Sequence, residues 1–400
     1  MKSKYALIVL FFLVVSSQNC EAQKVLKLAQ NGTVLQTDYL TKIPFRYVNN
    51  HIFIDVSVDG TVYNFLFDSG ADFCLIDVNH LKNGSYKKIK VVKTSGSSFK
   101  TQKTQLIKFS QFSIADVDFA EIGAAIMDLS FINKEYHCLE KPIAGIIGST
   151  LLRKSNWQID YEHHEILFSD DISKLNVSKE SFAIDFIEKS WGSPLVNVNI
   201  NGTNKIFTLD TGSSGKITTG VEYLEKLDTS NYVAINREDK LKNSYTNYIV
   251  EIKQMNIGDI TLDNHTISLE DGVSSLIGNV FFEHFNITLD WKNNKMHLDP
   301  IKELNARPYS DFEVTLKPNF ATNKIQISGV YNTDAAKGKF TVGTEILKIN
   351  ETDVSNFSKS ELCEFFENEW KEIRLNDTMT IATEKGVFDL SKSKLYKDIP

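Results

Sequence analysis

Apolar and polar residues alternate in short runs along most of the chain, the two-residue period of strands with one buried face. Phe53-Ile54-Asp55-Val56-Ser57-Val58 is one such run; Asp59-Gly60 supplies a turn, and an apolar stretch follows, ending in Phe65-Leu66-Phe67. The order recurs as Leu195-Val196-Asn197-Val198-Asn199-Ile200, Asn201-Gly202 and Phe207-Thr208-Leu209. Both read as β-hairpins, because Asp-Gly and Asn-Gly accept the positive φ of a two-residue hairpin turn. Aligned positions are 142 residues apart, and each hairpin runs straight into an Asp-Ser/Thr-Gly triplet: Asp68-Ser69-Gly70 and Asp210-Thr211-Gly212. A second anchor follows in each copy. Ile146-Ile147-Gly148 leading to Asn156-Trp157-Gln158-Ile159-Asp160-Tyr161 is echoed by Leu276-Ile277-Gly278 leading to Asn286-Ile287-Thr288-Leu289-Asp290-Trp291. Here the offset is 130, so the first copy carries 12 extra residues between its anchors. Such self-similarity predicts two homologous β-rich lobes, 46–170 and 171–300.

The pattern changes after Arg307-Pro308, a linker. Strand-like runs at Glu313–Leu316, Lys324–Ile327 and Gly343–Asn350 precede a helix opened by Ser358, with Glu361 completing a capping box. Leu362, Phe365, Phe366 and Trp370 fall on one face of that helix, and Thr378–Ala382 with Gly386–Leu390 reads as a closing hairpin. Residues 308–396 are thus a third, α+β module.

At the other end, Lys2 and Lys4 precede the apolar run 5–15, and small residues follow. This is the layout of a secretory signal over 1–22, cleaved after Ala22, and the run is too short for a membrane span. Lipid anchoring through Cys20 is the weaker reading, because Ser17-Gln18-Asn19 makes a poor lipobox. Residues 23–45 are either a short activation segment or the first strand. The mature chain, with no later apolar run of membrane-spanning length, is expected to be exported, to a periplasm or the exterior.

Composition narrows the picture only at its edges. With 42% hydrophobic residues the chain can bury a core, which excludes a disordered class, and a net charge of −7 argues against a nucleic-acid partner. Glu162-His163-His164-Glu165 resembles a metal cluster, but its counterpart Lys292-Asn293-Asn294-Lys295 marks it as a turn between strands, so no metal or other cofactor is expected. The lysine-interleaved run 87–93 reads as a guarded edge strand. Of Cys74, Cys138 and Cys363, only Cys74 and Cys138 share a predicted lobe; they either pair or remain buried thiols.

One Asp-Ser/Thr-Gly triplet is weak evidence, since roughly 0.2 copies are expected by chance in a chain of this length. Two copies behind matching hairpins are not chance. The pseudo-two-fold repeat can bring Asp68 and Asp210 together, and two carboxyls in contact share one proton. The ionised member can take a proton from water while the protonated member polarises a carbonyl, which suits amide hydrolysis.

With these triplets the sequence resembles pepsin- and retropepsin-like aspartic proteases. The resemblance covers about residues 46–300. It implies catalytic Asp68 and Asp210, supporting loop residues Ser69, Gly70, Ala71, Thr211, Gly212 and Ser213, and psi-loop elements Ile147-Gly148 and Ile277-Gly278. The implied fold is mainly β: two double-psi β-barrel lobes with a polypeptide substrate in the cleft between them. A flap glycine is expected at Gly96; the second lobe has none near Asn243-Ser244-Tyr245-Thr246. Ala71 lacks the hydroxyl of Ser213, an absence expected to raise the pair's pKa values and to extend activity toward neutral pH. Residues 335–350 are similar to part of a PDZ domain, implying capture of a peptide or C-terminal tail by strand addition. A Gly-Leu-Gly-Phe loop is lacking, and Asn319-Phe320-Ala321 is a loose substitute. The competing reading is a catalytically weak peptide-binding or scaffold protein that uses the cleft and the PDZ-like module.

Overall fold

The computed structural model describes residues 31–80, 86–95, 101–188, 192–226, 232–238, 243–304, 310–333, 336 and 338–394. The expected signal peptide, Cys20, the flap candidate Gly96 and the Arg307-Pro308 linker lie outside them. Among the described residues no helix is long and apolar enough to cross a membrane.

The chain is mainly β. In the first repeat, β1 (Leu40–Pro44) precedes a hairpin of β2 (His51–Val58) and β3 (Thr61–Phe67). Asp59 and Gly60 turn it at φ 49° and 76°, the left-handed values that the Asp-Gly pair predicts. There follow β4 (Cys74–Asp77), β5 (Tyr86–Ser95), β6 (Thr101–Ile114), β7 (Val117–Met127), the short helix α1 (Ser130–Asn133), β8 (Ile143–Ile147), α2 (Ser149–Leu152), β9 (Asn156–Asp160) and β10 (Glu165–Ser169). The second repeat runs through β11 (Phe182–Asp185), β12 (Pro194–Ile200), β13 (Thr203–Leu209), β14 (Ile217–Gly220), β15 (Tyr232–Glu238), β16 (Ser244–Ile257), β17 (Ile260–Glu270), β18 (Leu276–Ile277), α3 (Asn279–Phe282), β19 (Phe285–Asp290) and β20 (Lys295–Pro300).

The strand order β7-β4-β8-β3-β2 in one sheet is repeated as β17-β14-β18-β13-β12 in the other. In each, the strand before the Asp triplet pairs in parallel with the strand of the second anchor: Phe67 with Ile147, Leu209 with Ile277. β5 and its lysines lie at a sheet edge. A third sheet, β11-β20-β19-β9-β10-β1, draws strands from both repeats, joined where Trp157, Gln158 and Ile159 face Leu289, Thr288 and Ile287. One continuous core, including the fully buried Trp157, Phe67, Phe207 and Phe281, runs through all three sheets. Leu40–Pro44, in the segment whose role the sequence left open, is an edge strand of that shared sheet.

The C-terminal segment has its own core around Phe312, Ile325, Ile327, Leu362, Phe365 and Ile381. It comprises β21 (Val314–Asn319), β22 (Lys324–Tyr331), α4 (Lys359–Glu367), β23 (Thr378–Thr383) and β24 (Gly386–Ser391). The capping box is present: Ser358 Oγ accepts from the Glu361 amide, and Glu361 Oε2 accepts from the Ser358 amide. The helix breaks at Asn368, which puts Trp370 on a separate short helix, 369–373, where its ring still meets Phe366 at 5.9 Å and packs on the same core. β22 also pairs with β15, so the second repeat's sheet continues into this segment.

Candidate active site

The two Asp triplets sit where β3 and β13 leave their sheets. The Asp68 amide donates to Ile147 O at 3.0 Å and the Asp210 amide to Ile277 O at 2.9 Å, so each second anchor holds one aspartate from beneath. Gly148 and Gly278 are glycines for a steric reason. A Cβ on Gly148 would lie 2.3 Å from Phe73 O, and one on Gly278 would lie 2.6 Å from Gly215 O. Immediately after each glycine the chain turns into α2 or α3. There Ser149 and Asn279 donate their amides to Ala71 O (2.8 Å) and Ser213 O (2.9 Å), closing the loop.

Asp68 and Asp210 meet at the junction of the repeats, and their carboxyls are hydrogen-bonded to each other. Gly70 and Gly212 make this approach feasible. A Cβ on Gly70 would lie 2.3 Å from Asp210 Cγ, and one on Gly212 would lie 2.2 Å from Asp68 Cγ. The Ala71 amide donates to Asp68 Oδ1 and the Gly212 amide to Asp210 Oδ1, each at 2.8 Å. Burial, and after it the charge of Asp210, pushes the Asp68 carboxyl well above the usual aspartate range. Burial raises Asp210 too, but the hydrogen bond from Asp68 and the amides of Gly212 and Gly70 hold it back. Burial and the contact between the two carboxyls thus both favour retention of a proton by the pair.

The hydroxyls of Ser69 and Thr211 do more than fix their own loops, the role their turn chemistry suggests. Both residues are fully buried. Ser69 N–H donates to Thr211 Oγ1 (2.9 Å) and Thr211 N–H to Ser69 Oγ (3.0 Å). Each hydroxyl then donates across the junction, Ser69 to Leu209 O (2.7 Å) and Thr211 to Phe67 O (3.2 Å). Four bonds thereby lock the two strands that carry the carboxyls.

Residues 54–151 match the family model described as aspartyl protease. The range includes Asp68 and Ile147-Gly148; Asp210 lies beyond it. Among solved structures the crystal structure of basic 7S globulin from soybean is similar at a TM-score of 0.41 and 8% sequence identity, over 65% of this chain and 94% of that chain. No curated protein matches the chain.

Two expectations need correction, on Ser213 and on the cysteines. Ser213 Oγ accepts from the Gly215 amide at 3.4 Å instead of serving the carboxylate, whose oxygens already have backbone donors. The contrast between Ala71 and Ser213 is therefore not what raises the pair. Cys138 is bonded to Cys363, 225 residues away, and Cys74 is a buried free thiol, so no Cys74–Cys138 bridge exists. Sequence spacing could not show this, because the partner lies in a different segment. Asn319 ends β21 and Phe320-Ala321 begins the turn to β22, where the Phe320 ring centroid lies 4.8 Å from that of His137. As the comparison of the repeats predicts, Glu162-His163-His164 lies in the turn between β9 and β10, with Glu165 opening β10 and His163 Nδ1 2.9 Å from Asp160 Oδ2. Among the described residues no group of three His, Cys, Asp or Glu side chains is placed to hold a metal.

The sequence also concealed residues that hold the site. Asn279 Nδ2 donates to Thr211 O (2.6 Å) and Asn50 O (2.8 Å), and its Oδ1 accepts from Tyr161 (2.7 Å). Ser149, at the aligned position, donates to Ser69 O (3.0 Å). Their place directly after the anchor glycines was a usable signal.

Proposed function

We propose that this chain is an exported aspartic endopeptidase in which Asp68 and Asp210 form one catalytic pair. The observation that carries the reading is the hydrogen bond between two recessed carboxyls, each pressed against a loop glycine of the opposite repeat. Asp210 takes a proton from a water held between the carboxyls, while Asp68 gives its proton to the carbonyl oxygen of the scissile amide. Water oxygen bonds to the carbonyl carbon, giving a tetrahedral diol. Asp210 then gives its proton to the amide nitrogen, and the C–N bond breaks as the carbonyl re-forms. The diol hydroxyl that becomes the carbonyl returns its proton to Asp68, so that the pair again holds one shared proton. No covalent enzyme intermediate or cofactor enters this route. Ser69, Gly70, Ala71, Thr211, Gly212 and Ser213 support the loops, and Ile147-Gly148 and Ile277-Gly278 form the psi-loop floor.

Within this proposal residues 46–170 and 171–300 are the two lobes, with a polypeptide in the cleft between them. Residues 308–396 are a PDZ-like module able to take a peptide or C-terminal tail, and 1–22 direct export to a periplasm or the exterior. The test is cleavage of a diverse peptide library by the exported chain, read by mass spectrometry, with Asp68→Asn and Asp210→Asn as comparisons. The proposal expects new termini with wild type and none with either folded variant. If all three proteins behave alike, a catalytically weak peptide-binding or scaffold role takes its place.

A further inference from the structure

The two repeats differ most between their last long strand and their second anchor. In the second repeat residues 271–275 join β17 to β18; in the first, residues 128–142 join β7 to β8. Most of the 12 extra residues noted in the sequence therefore fall in this one segment. It is built in, not loosely looped out. Leu129 is fully buried and its amide donates to Asp77 Oδ1 at 2.9 Å. The Asn133 side chain brackets the start of β8, accepting from the Ile143 amide at 2.7 Å and donating to Ile143 O at 3.0 Å.

Beyond α1 the insert faces two ways. Tyr136 turns inward: its ring packs edge-on against Phe53 at 5.3 Å, and its hydroxyl lies 2.7 Å from His51 Nδ1. His51 stands between the repeats. Its Nδ1 is 2.8 Å from Asn49 O, and the side chain of the adjacent Asn50 donates to Ser214 O at 3.3 Å, on the loop that follows Asp210 and Gly212. Gly212 is the glycine pressed against Asp68. The next two residues of the insert turn to the C-terminal segment. His137 packs on Phe320, and Cys138 is bonded to Cys363 of α4. The second repeat has no room for an equivalent in its short 271–275 connection. A continuous line thus runs from α4 through Cys138, Tyr136, His51 and its chain neighbour Asn50 to the loop that carries Asp210.

We propose that the 128–142 insert is a strap through which the C-terminal segment sets the position of the Gly212 loop beside the carboxyl pair, with Tyr136 and His51 as positioning residues. The contacts stand without any assumption about activity; the effect on turnover rests on the catalytic reading of Asp68 and Asp210. Freed from Cys363, Cys138 no longer fixes the chain two residues from Tyr136, so the tyrosine hydroxyl and His51 lose their imposed alignment. A coupling of this kind is established only by perturbing both ends.

The experiment uses the full exported chain in four forms: wild type, Cys138→Ser/Cys363→Ser, Tyr136→Phe, and all three substitutions together. Replacing both cysteines leaves no unpaired partner to bridge with Cys74. Tyr136→Phe keeps the packed ring and removes only the hydroxyl, so it remains informative if the double serine variant folds poorly. The first readout is the imidazole 15N resonances of His51, which need no substrate. The second is kcat and KM on the library peptide that wild type cleaves best. We expect both perturbations to move the His51 resonances and to lower kcat by roughly 2- to 30-fold, with KM within about two-fold. The triple variant should lose no more than the larger single effect, because both act through one line. His51 resonances unchanged on loss of the disulfide, or kcat losses that multiply, overturn the strap. If wild type cleaves nothing, the proposed function fails by itself and the His51 resonances still decide the coupling.

Discussion

Thr211→Val tests whether the two repeats are locked through their hydroxyls. Valine has nearly the same shape as threonine, so packing in this fully buried position is retained. What is lost is the acceptor for the Ser69 amide at 2.9 Å and the donor to Phe67 O at 3.2 Å. A buried amide without a partner costs about 1–3 kcal/mol, and a carbonyl that loses one donor costs less, so the substitution should destabilise by roughly 2–4 kcal/mol. Against a typical total of about 5–15 kcal/mol this is a large fraction. Thr211→Ser is the control: it keeps both bonds and loses one methyl, at about 1 kcal/mol. The assay is the urea midpoint followed by tryptophan fluorescence, to which Trp157 and Trp291, two of the four tryptophans, contribute from in or beside the shared sheet. Peptide cleavage should fall with Thr211→Val, since two of the four bonds that tie the Asp68 loop to the opposite repeat are lost. The reasoning is refuted if Thr211→Val lies within about 0.5 kcal/mol of wild type, or if Thr211→Ser costs as much as Thr211→Val.

Three further outcomes follow from the same geometry. A carboxyl whose pKa is raised by folding favours the folded state at low pH, and that contribution is lost as pH rises through the folded value. Asp68→Asn should therefore raise the melting temperature above wild type near pH 7.5, with the gain shrinking below about pH 4; a gain independent of pH contradicts the assignment. Because the shared proton persists above the usual aspartate range, cleavage should extend into mildly acidic or near-neutral pH, and a pH–rate profile confined below about pH 4 counts against it. Gly212→Ala places a Cβ 2.2 Å from Asp68 Cγ and should abolish cleavage; retention of half the wild-type rate would show that the loops are not in close contact.

The parts of the fold legible in the sequence were those set by local rules. Alternation and the Asp59-Gly60 and Asn201-Gly202 turns marked the hairpins, and the repeat itself implied that Asp68 and Asp210 occupy equivalent places. What stayed hidden depends on partners far apart in the chain. The pairing of Trp157–Ile159 with Ile287–Leu289 leaves no periodic mark, because a strand's alternation records which face is buried and not which strand lies beside it. Cysteine spacing likewise says nothing about a bond spanning 225 residues. The hydroxyls of Ser69 and Thr211 have ordinary turn chemistry in sequence, and only the junction turns them into bonds across the repeats. The 12 additional residues were visible as a length difference, but Tyr136 gained meaning only beside His51.

The central claim is that Asp68 and Asp210 act as one proton-sharing pair, and aspartate 13Cγ resonances followed against pH test it without any substrate. The pair should keep one shared proton well above the usual aspartate range, and Asp68 should titrate lower once Asp210→Asn removes the neighbouring charge. Two independent titrations in the ordinary range, unchanged for Asp68 in that variant, would contradict it.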